Sequence, residues 1–87
     1  MAKIVFTAHL REVAPREAIE ADGATIGAVL DAIWLQYPRL RGYVVDEQGV
    51  LRKHIAIFLD GKLLKSPLRA RIRRESHIHI MQALSGG

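Results

Sequence analysis

Residues 25–38 have the sequence TIGAVLDAIWLQYP, and this stretch decides the fold class because it carries a clear helical pattern. Its apolar side chains recur at helical spacing, which is typical of an amphipathic helix that buries one face. These side chains are Ile26, Val29, Leu30, Ile33, Trp34 and Tyr37. Thr25 is a good N-cap residue, Gly27 weakens the first turn by roughly 1 kcal/mol relative to alanine, and Pro38 disfavours helical geometry at the residue before it. We therefore expect one main helix that ends at Pro38.

Two strand patterns precede this helix. Residues 3–10 alternate, with Ile4, Phe6 and Ala8 on one face and Val5, Thr7 and His9 on the other. Residues 16–21 can supply a short second strand, which the turn signal Asp22-Gly23 ends. Period-two alternation with β-branched and aromatic residues predicts half-buried strands in both places.

Residues 39–53 lose this periodicity, because Gly42, Asp46 and Gly49 lie among charged residues. The pattern predicts a long irregular connection with a short extended piece at residues 43–45. Loops of this length inside a compact domain are uncommon and are often functional.

Three more strand patterns follow the connection. Residues 55–59 are dense in β-forming side chains, Asp60-Gly61 is the strongest short hairpin signal of the chain, and residues 62–64 return from it. Residues 77–81 alternate again as the last strand, and residues 82–87 form an aperiodic, flexible tail. This order predicts an α+β domain in which a mixed sheet of about four or five strands packs on one main helix.

Composition limits the class of protein. The chain has 87 residues, which predicts a single domain over residues 1–87, and a domain of this size has little room for a deep catalytic cleft. It contains no cysteine, which excludes disulfides and thiolate metal sites. Neither a membrane-spanning run nor a signal peptide is visible. We expect a cytoplasmic carrier or binding module that is not an enzyme.

The last ten residues, IHIMQALSGG at 78–87, resemble the end of ubiquitin, LHLVLRLRGG. Residues 57–62, IFLDGK, resemble a strand and turn of ubiquitin and the VFVNG of many sulfur carriers, and the loop at 46–49 is similar to the longer MoaD-like carriers. Nearly the whole chain thus resembles the MoaD/ThiS sulfur carriers, which implies a ubiquitin-like β-grasp fold. Two stretches depart from that family: residues 73–76 replace its usual Gly-Asp turn, and residues 83–85 replace a Pro-Val-Ala segment.

The resemblance implies a reaction at the terminal carboxylate of Gly87. A ubiquitin-activating-enzyme-like adenylyltransferase would use ATP-Mg²⁺ to form an acyl-adenylate there. A persulfide from a sulfur donor would then displace AMP, leaving a thiocarboxylate for an acceptor synthase. The chain is a co-substrate in this scheme and binds no cofactor itself. Molybdopterin biosynthesis is one implied destination; thiamine, cysteine, another thio-metabolite and tRNA thiolation stay open.

Partner contacts are expected along the tail and on one face of the sheet. Glycine has no Cβ, so Gly86 and Gly87 suit a narrow channel in a partner, with Leu84 and Ser85 leading into it. By resemblance to ubiquitin, Phe58, His79 and Met81 would form an exposed apolar patch beside the tail, and such patches commonly mark partner sites. The tail residues for which we expect partner contacts or chemistry are Leu84, Ser85, Gly86 and Gly87.

Other readings of the sequence give different functions. A ubiquitin-like modifier attached to other proteins through Gly87 begins with the same adenylate. A nucleic-acid binder would use Arg69, Arg71, Arg73 and Arg74, but these lack the interleaved aromatics of single-strand platforms. We expect a solvated basic edge or a surface that complements an acidic partner instead. His77 and His79 share a strand face, yet two ligands make a poor zinc site, so no metal is expected.

Overall fold

The computed structural model describes residues 1–7, 10 and 14–82. Five strands form one mixed sheet in the order β2-β1-β5-β3-β4. They are β1 (Ala2–Phe6), β2 (Ile19–Ala21), β3 (Ile55–Leu59), β4 (Lys62–Leu63) and β5 (His77–Gln82). β5 runs parallel to β1 and antiparallel to β3, so the last strand is the central one. The expected α+β, ubiquitin-like β-grasp fold is confirmed.

The main helix, α1, spans Ile26–Gln36 and follows the sequence pattern closely. The Thr25 Oγ1 accepts a hydrogen bond from the Ala28 N–H at 3.2 Å, which satisfies one of the free donors of the first turn. Its buried residues are Ile26, Val29, Leu30, Ile33 and Trp34, as the periodicity predicts. The helix covers one face of the sheet, where Ile4, Ile57, Ile78 and Ile80 are all fully buried.

A second helix, α2 (Pro38–Val44), occupies part of the segment that was expected to be irregular. The prediction of an extended piece at 43–45 is therefore wrong for its first two residues. Pro38 is the first residue of α2, where its fixed φ suits the helix and its missing N–H costs nothing. Leu40 and Val44, four residues apart, are fully buried. Tyr37 ends α1 and caps α2, so Pro38 marks a boundary between two helices.

Four of the predicted strands shift at their ends, and β4 keeps only Lys62–Leu63 of the predicted residues 62–64. β1 ends at Phe6; beyond it, the Leu10 N–H donates to the Thr7 carbonyl at 3.0 Å, and Leu10 is buried. β2 is confined to Ile19–Ala21, since only these residues pair with β1. Gln82 pairs with Ile55 and is the last residue of β5. Of the tail predicted for residues 82–87, Gln82 therefore belongs to β5, and residues 83–87 lie outside the described residues.

The hairpin between β3 and β4 has the geometry that Asp60-Gly61 predicts. Both turn residues adopt positive φ, 48° for Asp60 and 87° for Gly61, as a two-residue type I′ turn requires. Asp60 also fixes the start of β5: its N–H donates to the His77 carbonyl at 2.8 Å, and its Oδ1 accepts from the His77 N–H at 2.9 Å. The hairpin tip is thus joined to the central strand.

The turn before β5 is closed by serine in place of the family's Gly-Asp. The Ser76 N–H donates to the Arg73 carbonyl at 3.1 Å, and the Ser76 Oγ accepts from the Arg73 N–H at 2.8 Å. Ser76 itself is buried. One side chain and one backbone bond therefore hold residues 73–76 in a turn that needs no glycine.

The chain between β4 and β5 passes across the start of α1. The Ile26 N–H donates to the Ala70 carbonyl, and the Ile72 N–H donates to the Ala24 carbonyl. A short 3₁₀ turn at Pro67–Arg69 packs against α1. This crossover carries the arginine-rich stretch along one edge of the domain.

Candidate functional site

The last described residues of the chain lie on β5, in the middle of the sheet. Gln82, the last residue of β5, pairs with Ile55 at the start of β3, and we call this point the tail exit. The predicted tail residues Leu84, Ser85, Gly86 and Gly87 lie outside the described residues. The structure therefore fixes the position of Gln82, and the role of the residues after it rests on the sequence.

β5 presents different side chains to its two faces. Ile78 and Ile80 are fully buried under α1, whereas His77 and His79 are exposed and Met81 is 40% exposed on the opposite face. This alternation is the one that the sequence predicted. We call the side of the sheet away from α1 the outer face.

His79 lies in a row of side chains that crosses four strands. Phe58 on β3 and Val5 on β1 are its direct partners, and Leu63 on β4 is the partner of Phe58. Side chains directly opposite on paired strands are close enough to touch. Phe58 and Val5 are half-buried and Leu63 is 62% exposed. The row is apolar except for the imidazole.

Met81 extends this row toward the tail exit. It pairs with Ala56 on β3, two residues along β5 from His79 and one residue before Gln82. We call Val5, Phe58, Leu63, His79 and Met81 together the outer-face patch. The structure brings the three predicted residues Phe58, His79 and Met81 onto one surface, and that surface borders the tail exit.

Sequence reasoning missed Leu63 and Val5 in this patch. The signal for Leu63 was present, because a two-residue hairpin turn at Asp60-Gly61 fixes Leu63 opposite Phe58. Val5 had no such signal, since it meets His79 through a parallel pairing between the two ends of the chain.

Charged residues bound the patch at the far end of β5. Lys3 pairs with Glu20 on one side and with His77 on the other. All three side chains are exposed. The outer face is therefore apolar near the tail exit and charged near the start of β5.

The arginines of residues 69–74 extend from one end of β5 toward the other. Arg69 lines a groove with Ile55, beside the tail exit. Arg74 lines a hollow with His77, at the other end of β5, and six strand residues separate these ends by about 17 Å. The structure therefore spreads the basic stretch over the length of β5 and does not gather it at one point.

Metal-binding clusters and membrane-spanning helices can be assessed for residues 1–7, 10 and 14–82, the part of the chain that the structure describes. No group of three or more histidine, aspartate and glutamate side chains in this part of the chain could hold a metal ion. In the same residues, neither helix has the length and apolarity to cross a membrane.

This chain is similar to known proteins in both sequence and fold. The sequence matches the family model of the ThiS family over residues 4–87. A search of curated proteins gives no match.

Solved structures with the same fold include small archaeal modifier proteins. SAMP1 from Haloferax volcanii is 28% identical with a TM-score of 0.80, and the match covers 99% of this chain and 98% of that one. Small archaeal modifier protein 1 from Methanosarcina acetivorans is 26% identical with a TM-score of 0.84, over 99% and 95% of the two chains. A chain of the BexX/CysO complex of Amycolatopsis orientalis has a TM-score of 0.87 over 100% of both chains, and its 20% identity supports the fold alone.

Proposed function

Because this chain belongs to the ThiS family, we propose that it is a sulfur carrier whose working group is the carboxylate of Gly87. The observation that carries the proposal is the terminal Gly86-Gly87, five residues beyond a central strand, in a sequence that matches the family through residue 87. A fully extended segment of residues 83–87 spans at most about 17 Å, which is enough to enter a partner's active site.

The proposed chemistry has three steps. A carboxylate oxygen of Gly87 attacks the α-phosphorus of ATP in a partner adenylyltransferase, which forms the acyl-adenylate and releases pyrophosphate. The terminal sulfur of a donor persulfide attacks the acyl carbon and expels AMP, which gives an acyl disulfide. A second thiol then cleaves the sulfur–sulfur bond, leaving the Gly87 thiocarboxylate and a disulfide on the donor side.

The composition supports placing sulfur at the terminus. The chain has no cysteine, so it cannot hold a persulfide or a thioester on a side chain. Every sulfur atom it transfers must therefore be bonded to its terminal carbonyl carbon. The carrier is then a co-substrate, and the adenylyltransferase, the sulfur donor and the acceptor synthase supply the catalysis.

The outer-face patch supplies a docking surface for these partners. Leu63 and Met81 expose apolar area next to the tail exit, and exposed apolar area of this kind is stabilised by burial against a partner. A partner that covers the patch also receives the tail. We assign ATP and Mg²⁺ to the adenylyltransferase and no resident cofactor to this chain, and we place the pathway in the cytoplasm.

A protein modifier is the second candidate function. The two archaeal neighbours at 28% and 26% identity are named as small archaeal modifier proteins or SAMP1, which favours it. In that case a lysine amine of a target protein attacks the acyl carbon of the Gly87 adenylate, so that an isopeptide bond forms, AMP leaves and the amine loses a proton.

Pyrophosphate exchange tests the step that both candidates share. We expect the untagged chain to support ATP–pyrophosphate exchange by the adenylyltransferase of the same organism, and the chain lacking Gly86-Gly87 to support none. Equal exchange with both chains would contradict the proposal. Immunoblots of cell extracts separate the two candidates, because a modifier gives higher-mass adducts that depend on Gly87 and a dedicated carrier gives none.

A further inference from the structure

An open groove lies beside the tail exit on the edge of the domain opposite β2. It runs between residues 49–55 and residues 65–69, with a volume of about 660 Å³. Ile55 lines it and also pairs with Gln82, the last residue of β5. A molecule bound in this groove therefore lies next to the start of the tail.

Four cations line this groove: Arg52, Lys53, Lys65 and Arg69. We call it the basic groove. Among the described residues that line it, none is acidic. The four side chains come from two segments that are distant in sequence, and all are exposed, so their charges reinforce one another at the surface.

One of these cations is already held in place. The Nε of Arg52 donates to the Gly42 carbonyl at 2.7 Å, near the end of α2. The remaining guanidinium donors can bind a carboxylate in a forked geometry. Because the side chain is partly ordered before binding, less conformational entropy is lost when it meets a ligand.

The floor of the groove is apolar. Val50 is 58% exposed there, and Leu51 and Leu68 are half-buried beside it. Val50 follows a tight turn in which the Asp46 Oδ1 accepts from the N–H groups of Gln48 and Val50 at 2.9 Å. This turn fixes the position of Val50, so its apolar surface is available to a ligand that brings an apolar side chain.

From this combination we propose that the basic groove binds an acidic peptide segment of a protein partner, with one aliphatic side chain seated on Val50 and flanking carboxylates on the four cations. Charge complementarity selects the acidic segment, and the apolar floor adds a contact that phosphate-rich ligands cannot make. The described lining contains no aromatic side chain on which nucleic-acid bases would stack, which favours peptide over single-stranded RNA.

This groove is separate from the outer-face patch and from the Gly87 chemistry. Peptide binding in the basic groove depends on charge and shape, so it does not depend on whether the chain carries sulfur. Peptide binding and pyrophosphate exchange therefore report on different parts of the molecule, and failure of one leaves the other intact.

Fluorescence anisotropy with a labelled peptide tests the proposal. The probe is a short peptide with one leucine between runs of glutamate, compared with a peptide of glutamate alone and with an oligouridine of equal charge. We expect saturable binding of the leucine peptide that weakens as salt rises, and weaker binding of both other probes.

Matched charge reversals locate the site. Lys65→Glu with Arg69→Glu should weaken binding of the leucine peptide by about tenfold or more, and Val50→Ser by about threefold. Arg73→Glu with Arg74→Glu makes the same change in net charge at the other end of β5 and should weaken it by less than about threefold. Circular dichroism establishes that all variants are folded.

Several results would overturn the assignment. Absence of saturable binding would remove the site, and equal weakening by both pairs of reversals would reduce it to net charge. Tighter binding of oligouridine would assign the groove to nucleic acid. Tighter peptide binding after removal of residues 83–87 would assign it to the chain's own terminus.

Discussion

The two faces of this sheet are built from the same strands and carry different tasks. On the inner face, Ile57, Ile78 and Ile80 are fully buried beneath α1. On the outer face, the neighbouring residues Phe58, His79 and Met81 leave a largely apolar surface that no element in the described part of the chain covers. Buried apolar packing is therefore concentrated on one face, and the proposed docking surface lies on the other. Substitutions on adjacent residues of β5 should separate the two properties.

The inner face should give the largest effect on stability. Ile80→Ala removes a fully buried side chain that contacts the core beneath α1, and it should lower the free energy of unfolding by about 3 kcal/mol. Urea denaturation followed by circular dichroism measures this. His79→Ala, one residue away on the outer face, is the control and should change it by less than about 0.5 kcal/mol. Similar losses for both would contradict the division between the faces.

Substitutions on the outer face should have a smaller effect in free energy, and they should affect only partner binding. Leu63→Ala removes exposed apolar surface from the outer-face patch, and it should raise the KM of the adenylyltransferase for this chain by about tenfold, equivalent to about 1.4 kcal/mol. Leu35→Ala removes a leucine that is still more exposed, 86% against 62% for Leu63, from α1 on the other side of the molecule. It should leave the KM unchanged. A KM that rises equally for both variants would disprove the docking role of the patch.

Two helical glycines differ in whether another part of the chain packs directly against them. A Cβ at Gly27 would lie 2.9 Å from the Leu68 carbonyl oxygen, whereas a Cβ at Gly42 would meet nothing within 4 Å. Alanine favours a helix over glycine by about 1 kcal/mol, but at Gly27 the crossover chain would have to move, at a cost of about 1–3 kcal/mol. Thermal and urea unfolding should show Gly27→Ala destabilised by about 1 kcal/mol and Gly42→Ala stabilised by about 0.5–1 kcal/mol. Stabilisation of both variants would mean that the chain between β4 and β5 can move away from residue 27 with no loss in the free energy of unfolding.

Local signals predicted the elements that depend on few residues. The cap at Thr25, the apolar stripe of α1 and the Asp60-Gly61 hairpin are each encoded within a short segment. Pro38 predicts the end of α1, but proline also suits the first position of a helix, and this second role places α2 directly after it. The buried pair Leu40 and Val44, four residues apart, was the available sign of α2.

Features that join distant segments could not be predicted from local patterns. The parallel pairing of Val5 with His79 joins the two ends of the chain, and neither segment specifies its partner. The basic groove combines residues 49–55 with residues 65–69 through the turn of the β3–β4 hairpin. Arg69 and Arg74, which are five residues apart in the sequence, lie at opposite ends of β5.

The most direct test of the central claim is an intact-mass measurement after alkylation. The chain, untagged at its carboxyl terminus, is incubated with ATP, a persulfide donor and the adenylyltransferase of the same organism, and is then treated with iodoacetamide. Because the chain has no cysteine, a thiocarboxylate is the expected site of rapid alkylation, and fragmentation should place a single adduct on Gly87. An unmodified Gly87 after demonstrated adenylate formation would contradict the sulfur-carrier account and leave the modifier function.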